Sequence, residues 1–237
     1  MQKIDVSPNG GILMLVNGQL LQLGSGNYVS DTSASLTDFA IDTSGITYGM
    51  AGNVLGIVAY CKFVPLTQFP SATLSIAAAS KDSLFLFGQE SDSTNVIYLV
   101  YRANNSRNMY RKLVSIPKTI QAVLPQENSC LLAIGGAIYG LEWATNDSIS
   151  LQYLMNPERG RILSLQADER NDILYFSTDS TTCAFNNGEI LEILHQGGQL
   201  RLTADKLYVL DRLNQKLVML DNPRQIVLER STQTINH

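Results

Sequence analysis

RILSLQADERNDILYFSTDSTTCAFNNGEILEIL, residues 161–194, contains four β-rich segments separated by short polar or glycine-bearing turns. The segments are 161–168, 173–178, 182–186 and 189–194. The next residues repeat the plan, with segments at 200–204, 206–211, 216–221 and 225–230. Four short strands repeated every 35–45 residues or so are typical of small antiparallel sheets arranged as a repeat protein.

The same plan extends over the whole chain. Six repeats fit its 237 residues, at about 40 residues each, which is the length of one propeller blade. AsnGly at 17–18, between two apolar runs, is a strong hairpin signal because a type I′ turn needs positive φ at both central residues. The predicted blades are 1–34, 35–71, 72–118, 119–160, 161–198 and 199–231, followed by a flexible polar tail at 232–237.

We therefore predict an all-β fold, a single β-propeller with six four-stranded blades, with a five-bladed ring or a β-sandwich as alternatives. The resemblance to β-propellers covers nearly the whole chain and lies in the pattern of strands. The sequence lacks the GlyHis and TrpAsp repeat of WD40 blades, the diglycine scheme of kelch blades and the tryptophan motif of quinoprotein blades. The resemblance to propellers implies a rigid platform for protein partners, an inference from fold alone.

Composition limits the functional classes. Seventeen basic and twenty-one acidic residues give a net charge of −4, so no global charge favours nucleic acid or an anionic membrane. No apolar run reaches the ~20 residues of a membrane span, and the N-terminal residues lack the apolar region of a signal peptide. We expect a cytoplasmic protein, with an exported mature chain as the alternative.

Three cysteines, an odd number, fall in predicted strands of three different blades: Cys61, Cys130 and Cys183. Strands of different blades rarely bring two Cα atoms within the ~7 Å that a disulfide requires. We expect small buried free thiols in a reducing compartment, and one disulfide with a free thiol is the alternative.

Residues for catalysis or metal binding are few. His195 lies in a predicted connection between blades, and His237 ends the tail. Zinc-ligand spacings and calcium loops are absent from the sequence. Scattered Asp and Asn residues, such as Asp179 and Asn214, fit ordinary turns. The sequence therefore predicts no catalytic residue, no metal and no cofactor.

One hairpin is strongly basic. Residues 101–118 contain five basic and no acidic residues, so they carry +5 while the other 12 basic and 21 acidic residues carry −9. Such a hairpin could bind an acidic protein segment, or its charges could protect the outer edge of a blade from strand addition. The predicted partner-binding residues are Arg102, Arg107, Tyr110, Arg111 and Lys112 of this hairpin, with His195 and Arg212 in loops.

The sequence thus favours a non-enzymatic protein-binding propeller, a rigid scaffold or a subunit of a complex, with its oligomeric state left open. The alternative is a small-molecule or metal-dependent hydrolase or lactonase that resembles six-bladed calcium enzymes. That alternative requires inward-facing Asp, Asn and Glu side chains at the centre of the ring.

Overall fold

The computed structural model describes residues 1–23, 34–69, 73–79, 83–102, 108–126, 129–143 and 148–234. Its contacts divide the chain into two compact units. The first unit consists mainly of Met1–Ile120 and Glu142–Ser150. The second consists of Gln121–Gln126, Cys130–Leu141 and the residues from Leu151 onward.

Within the described residues the strands form six antiparallel sheets in chain order. The first sheet contains β1 (Lys3–Val6), β2 (Ile12–Val16) and β3 (Gln19–Gln22). The second contains β4 (Asp38–Ile41), β5 (Thr47–Ala51), β6 (Val54–Ala59) and β7 (Lys62–Gln68). The third contains β8 (Thr73–Ala79), β9 (Ser83–Ser91), β10 (Thr94–Arg102) and β11 (Asn108–Ile116).

The fourth sheet contains β12 (Ile120–Pro125), β13 (Ser129–Ile134), β14 (Ala137–Trp143) and β15 (Ile149–Met155). The fifth contains β16 (Ser164–Asp168), β17 (Ile173–Ser177), β18 (Thr182–Asn186) and β19 (Glu189–Leu194). The sixth contains β20 (Gln199–Leu202), β21 (Lys206–Asp211) and β22 (Lys216–Asp221), followed by helix α1 (Pro223–Thr234).

Every strand pairs with the next strand of its own sheet, so each sheet is a meander. The predicted all-β, six-bladed propeller is confirmed. The predicted fourth strand of the first blade, at 27–31, lies outside the described residues.

Tight turns set the strand boundaries. Asn17 and Gly18 have φ values of 49° and 80°, and Asn187 and Gly188 have 49° and 83°. Both pairs join two strands directly, with positive φ at both central residues, as a type I′ turn requires. Strands predicted at 182–186, 189–194, 206–211 and 216–221 are present with those bounds.

The prediction of a strand at 225–230 is wrong, because this segment lies inside α1. Pro223 occupies the first helical position, where its fixed φ suits a helix and its missing N–H costs nothing. Val227 is fully buried among residues of β17, β18 and β21, while the neighbouring Leu228 is exposed. A short apolar run such as IVL does not distinguish helix from strand.

Apolar side chains pack between neighbouring sheets. In the first unit, residues of the second and third sheets such as Met50 and Leu86 form one buried cluster with Phe69, which follows β7. In the second unit, Tyr175 and Val209 belong to a cluster of the fifth and sixth sheets with α1. Sheets covered on both faces explain the continuous apolar runs in strands such as VLGIVA.

The cysteines are free, and two of the three are buried as predicted. Cys130 and Cys183 are fully buried inside strands. The prediction is wrong for Cys61, which is exposed in the sharp turn between β6 and β7. Tyr60 and Cys61 both have positive φ there, 52° and 63°. The chain therefore reverses at residues that the sequence predicts to end a strand.

Candidate functional site

The first strands of consecutive sheets pack against one another. In the first unit β1 contacts β4 and β4 contacts β8, and in the second unit β16 contacts β20. Strands that contact each other across sheets can bring acidic side chains together, as the calcium-enzyme alternative requires. Their polar residues are therefore the first candidates for a site.

Two buried carboxylates lie on these strands in the first unit. Asp5 accepts a hydrogen bond of 2.8 Å from the amide of Val6 and one of 2.7 Å from the amide of Ile41 on the next sheet. Asp38 accepts a hydrogen bond of 2.8 Å from the amide of Phe39. It accepts another, of 2.7 Å, from the amide of Ile76 on the next sheet. The Lys3 ammonium lies 2.8 Å from Asp38 Oδ1.

The same arrangement recurs in the second unit with uncharged side chains. Ser164 Oγ accepts a hydrogen bond of 3.0 Å from the amide of Leu200, and Gln166 Oε1 accepts one of 3.1 Å from the amide of Leu202. Polar side chains of the first strands thus bind the backbone of the following sheet.

Both oxygens of Asp5 and of Asp38 accept backbone hydrogen bonds, and Asp38 also pairs with Lys3, so these carboxylates tie one sheet to the next. Among the described residues, no three His, Cys, Asp or Glu side chains are grouped so that they could hold a metal ion. We interpret these first-strand side chains as structural.

A second cluster lies where the fifth and sixth sheets are connected. Thr182 Oγ1 donates a hydrogen bond of 2.7 Å to the carbonyl of Gln196, and Ser177 Oγ donates to the carbonyl of Gly198. These bonds hold the connection at 195–198 against the turn between β17 and β18. The connection between these two sheets and the β17–β18 turn therefore lie at the same end of the fifth sheet.

His195 begins this connection, and its side chain is 95% exposed. Its Nδ1 contacts Oε1 of Glu192, which lies on β19 with 25% of its side chain exposed. Oε2 of Glu192 lies 3.8 Å from Nη1 of Arg159. Arg230 of α1 donates a hydrogen bond of 2.8 Å to the backbone carbonyl of Glu192. The helix thus contacts the residue that holds the imidazole.

This arrangement has a definite chemical capacity. A carboxylate on Nδ1 stabilises the neutral tautomer whose Nε2 carries a free lone pair, and it stabilises the imidazolium once Nε2 accepts a proton. Because the imidazole is exposed, a bound small molecule or water can reach Nε2. The group can therefore act as a general base or acid.

Cys183 lies close enough to Arg159 and Glu192 to be influenced by their charges, but it is no nucleophile here. Burial raises the pKa of its thiol above the usual range, so the thiolate is disfavoured at neutral pH. The chemistry of this cluster therefore depends on Glu192, His195 and Arg159.

The basic hairpin lies in the first unit, where β11 is the edge strand of the third sheet. Lys112 Nζ lies 2.7 Å from Glu90 Oε2 and 5.9 Å from the ring centre of Tyr98. The Tyr98 hydroxyl donates to the other oxygen of Glu90 at 2.5 Å. Lys112 and the Tyr98 hydroxyl together lower the pKa of Glu90. An acid of β9 thus neutralises one charge of the predicted patch.

The remaining predicted partner-binding residues have different surroundings. The centre of the Tyr110 ring lies 4.7 Å from the centre of the Phe69 ring. Arg111, the next residue after Tyr110, is half-buried. The side chain of Arg102 and the whole of Arg107 lie outside the described residues. Arg212 is exposed in the β21–β22 turn. Partner binding by these residues stays a prediction.

The sequence analysis proposed His195 only as a partner-binding loop residue, and it did not single out Glu192 or Arg159. The spacing Glu192-x-x-His195 was a usable signal, but along a straight strand residues three apart point to opposite faces. The contact forms because β19 ends at Leu194 and the chain turns there. The position of Arg159, 33 residues before Glu192, depends on the packing of separate blades.

Several solved structures resemble this chain. A gluconolactonase from Xanthomonas campestris matches with a TM-score of 0.70 at 10% identity, covering 94% of this chain and 83% of that one. A catalytically inactive histidine-to-alanine variant of virginiamycin B lyase from Staphylococcus aureus, with quinupristin, matches with a TM-score of 0.61 at 13% identity, covering 94% and 84%. The computationally designed Ika8 protein matches with a TM-score of 0.56 at 11% identity, covering 89% and 80%.

No family model and no curated protein sequence matches the chain. At identities of 10–13% the structural matches establish the propeller fold. They also correct the expectation of a non-enzymatic protein, because propellers that this chain resembles are a gluconolactonase and a lyase. Among the described residues, no helix has the length and apolar character needed to cross a membrane.

Proposed function

We propose that this protein is a propeller enzyme that hydrolyses cyclic esters of small molecules, with His195 as its general base. The observation that carries the proposal is the contact between Glu192 and Nδ1 of His195, which leaves Nε2 free on an exposed ring. Two structural neighbours support it, one named a gluconolactonase and one a lyase whose histidine-to-alanine variant is described as catalytically inactive.

The reaction follows from these groups. Nε2 of His195 accepts a proton from a water molecule whose oxygen attacks the ester carbonyl. Collapse of the tetrahedral intermediate breaks the ring C–O bond, and the imidazolium returns the proton to the departing alkoxide. One lactone and one water thereby give one hydroxy acid. Glu192 orients the ring and stabilises its protonated form.

Arg159 supplies the positive charge of the site. Its guanidinium lies 3.8 Å from Glu192 and is 45% exposed, so it has donors left for a ligand. A guanidinium binds carboxylates and developing oxyanions through directed N–H groups. We propose that Arg159 binds the carbonyl oxygen of the ester as negative charge develops on it, and that it then binds the carboxylate of the product.

The test is hydrolysis of a panel of five- and six-membered lactones, followed in a pH-stat. Replacing a general base lowers the rate by roughly 10²–10⁴-fold, which is the loss expected in kcat/KM for His195→Gln. Glu192→Gln should lower kcat more than it raises KM, because it removes an orienting group. Equal activity of wild type and His195→Gln would overturn the assignment.

Glu189→Gln is the matched control. Glu189 lies on the same strand, three residues before Glu192, where it pairs with Asn186 in the β-ladder. The substitution removes one carboxylate from β19 and leaves the contact with His195 intact. Its kcat/KM should equal that of the wild type. A loss equal to that of Glu192→Gln would show that the net charge of the strand is what matters.

A further inference from the structure

The outer edge of the fourth sheet is an open strand. β15 pairs with β14 on one side, and no strand of the described residues pairs with its other side. Every residue from 149 to 154 is exposed. The backbone N–H and C=O groups along this edge are therefore available to another strand.

The other four-stranded sheets protect their edges. β7 carries Lys62 and Pro65, and Pro65 cannot donate a backbone hydrogen bond. β11 carries Arg111 and Lys112. Helix α1 contacts β19, the edge of the fifth sheet. Charge, proline and covering elements are the usual means by which proteins prevent edge pairing, and ISLQYLM of β15 has none of them.

β15 also exposes apolar side chains on both faces of its sheet. Leu151 is 41%, Tyr153 56% and Leu154 46% exposed. The Tyr153 ring packs edge-on against Tyr139 of β14, with their centres 5.7 Å apart, so the apolar surface extends across two strands. A strand that adds to this edge would cover these side chains and gain backbone hydrogen bonds.

We propose that a second copy of this chain pairs with this edge, β15 against β15, in antiparallel orientation about a two-fold axis. An isologous contact of this kind places each residue of the strand opposite residues of the same strand. β15 meets that condition because it has no charge, so no like charges face each other. The same pairing through β11 would bring Arg111 and Lys112 against their own copies.

The uncharged edge also disfavours an acidic or basic partner, which would find no complementary charge there. At ~3.3 Å per residue, a seven-residue strand offers about 23 Å of continuous pairing. The product would be one sheet that continues from one copy into the next.

Sedimentation velocity tests the proposal directly. The chain has a mass of 26.0 kDa, so a dimer sediments as twice that mass, 52 kDa. Gln152→Lys places a charge in the middle of the exposed edge and should give a 26.0 kDa monomer. Val64→Lys is the matched control, because Val64 is exposed on the edge strand β7, which already carries Lys62. It should leave the dimer intact.

Circular dichroism spectra that superpose for the three proteins would show that the lysine acts on association. In a third variant, Gln152→Cys combined with Cys61→Ser to remove the exposed native thiol, oxidation should cross-link the two copies near the two-fold axis. A wild type that is monomeric at its highest soluble concentration overturns the proposal. So does a dimer that persists in Gln152→Lys and does not cross-link through position 152.

Discussion

Replacing Asp38 by alanine should destabilise the first unit more than any single surface change. Asp38 accepts a hydrogen bond of 2.7 Å from the Ile76 amide, and its Oδ1 lies 2.8 Å from the Lys3 ammonium. The Lys3 side chain is only 15% exposed. Removing one member of a buried ion pair costs about 3–5 kcal/mol. Because Lys3 keeps its hydrogen bond of 2.7 Å to the Ile76 carbonyl, we expect the lower part of that range, about 3 kcal/mol.

The assay is urea unfolding followed by circular dichroism. Asp38→Ala should lower the midpoint with an unchanged m value. Asp38→Asn keeps one acceptor oxygen but loses the charge, and we expect about 1–2 kcal/mol. Asp179→Ala is the control, because Asp179 is exposed in a turn, and its change should stay within about 0.5 kcal/mol.

A double-mutant cycle with Lys3→Met isolates the ion pair from the backbone hydrogen bonds. Lys3→Met and Asp38→Asn should be strongly non-additive, since they contact each other. If Asp38→Ala costs no more than Asp179→Ala, the first-strand carboxylates do not hold the sheets together. In that case they would be free to serve a ligand, against our interpretation.

Three further predictions concern single features. Burial raises the pKa of the Cys130 thiol to about 12 and the pKa of the Cys183 thiol above its usual range. An aromatic disulfide reagent at pH 8 should therefore react with one thiol of the native protein, that of the exposed Cys61. In urea it should react with all three thiols. Glu229→Pro should lower the free energy of unfolding by about 3 kcal/mol, because residue 229 lies inside α1 and proline interrupts a helix. Glu229→Ala should lower it by less than about 0.5 kcal/mol, because the side chain is exposed. Thermal unfolding measures both changes, and a proline that is tolerated at position 229 would contradict the helix. Because Lys112 lowers the folded-state pKa of Glu90 below its ordinary 4.5, Glu90 contributes stability above that pH and loses it as pH falls through the folded value. The melting temperature of the wild type should therefore fall more than that of Glu90→Gln between pH 6 and pH 3.

Local sequence signals determined most of the fold. Turn pairs such as Asn187 and Gly188 require positive φ and therefore mark strand ends to the residue. The same signals failed at 225–230, where an apolar run of three residues suits both a strand and a helix. Burial of Val227 among strands of two sheets stabilises the segment as a helix there, and that contact is not visible in the local sequence.

The candidate site was harder to predict because it depends on contacts between distant segments. His195 was noticed through its chemistry alone. Arg159, which lies 3.8 Å from Glu192, comes from the connection between the fourth and fifth blades, and no local pattern relates that connection to β19. The buried carboxylate of Asp5 accepts a backbone hydrogen bond from the next blade, a contact that only the folded structure reveals.

Chemical rescue of a His195→Gly variant is the measurement that tests the proposed function most directly. The His195 side chain is 95% exposed, so free imidazole can reach the position that the glycine leaves. With the lactone that the wild type hydrolyses best, the variant should lose roughly 10²–10⁴-fold in rate and regain part of it as imidazole is added. Imidazole should not accelerate the Glu189→Gln control. A His195→Gly variant as active as the wild type, or one that imidazole leaves unchanged, would contradict the role of His195 as the general base.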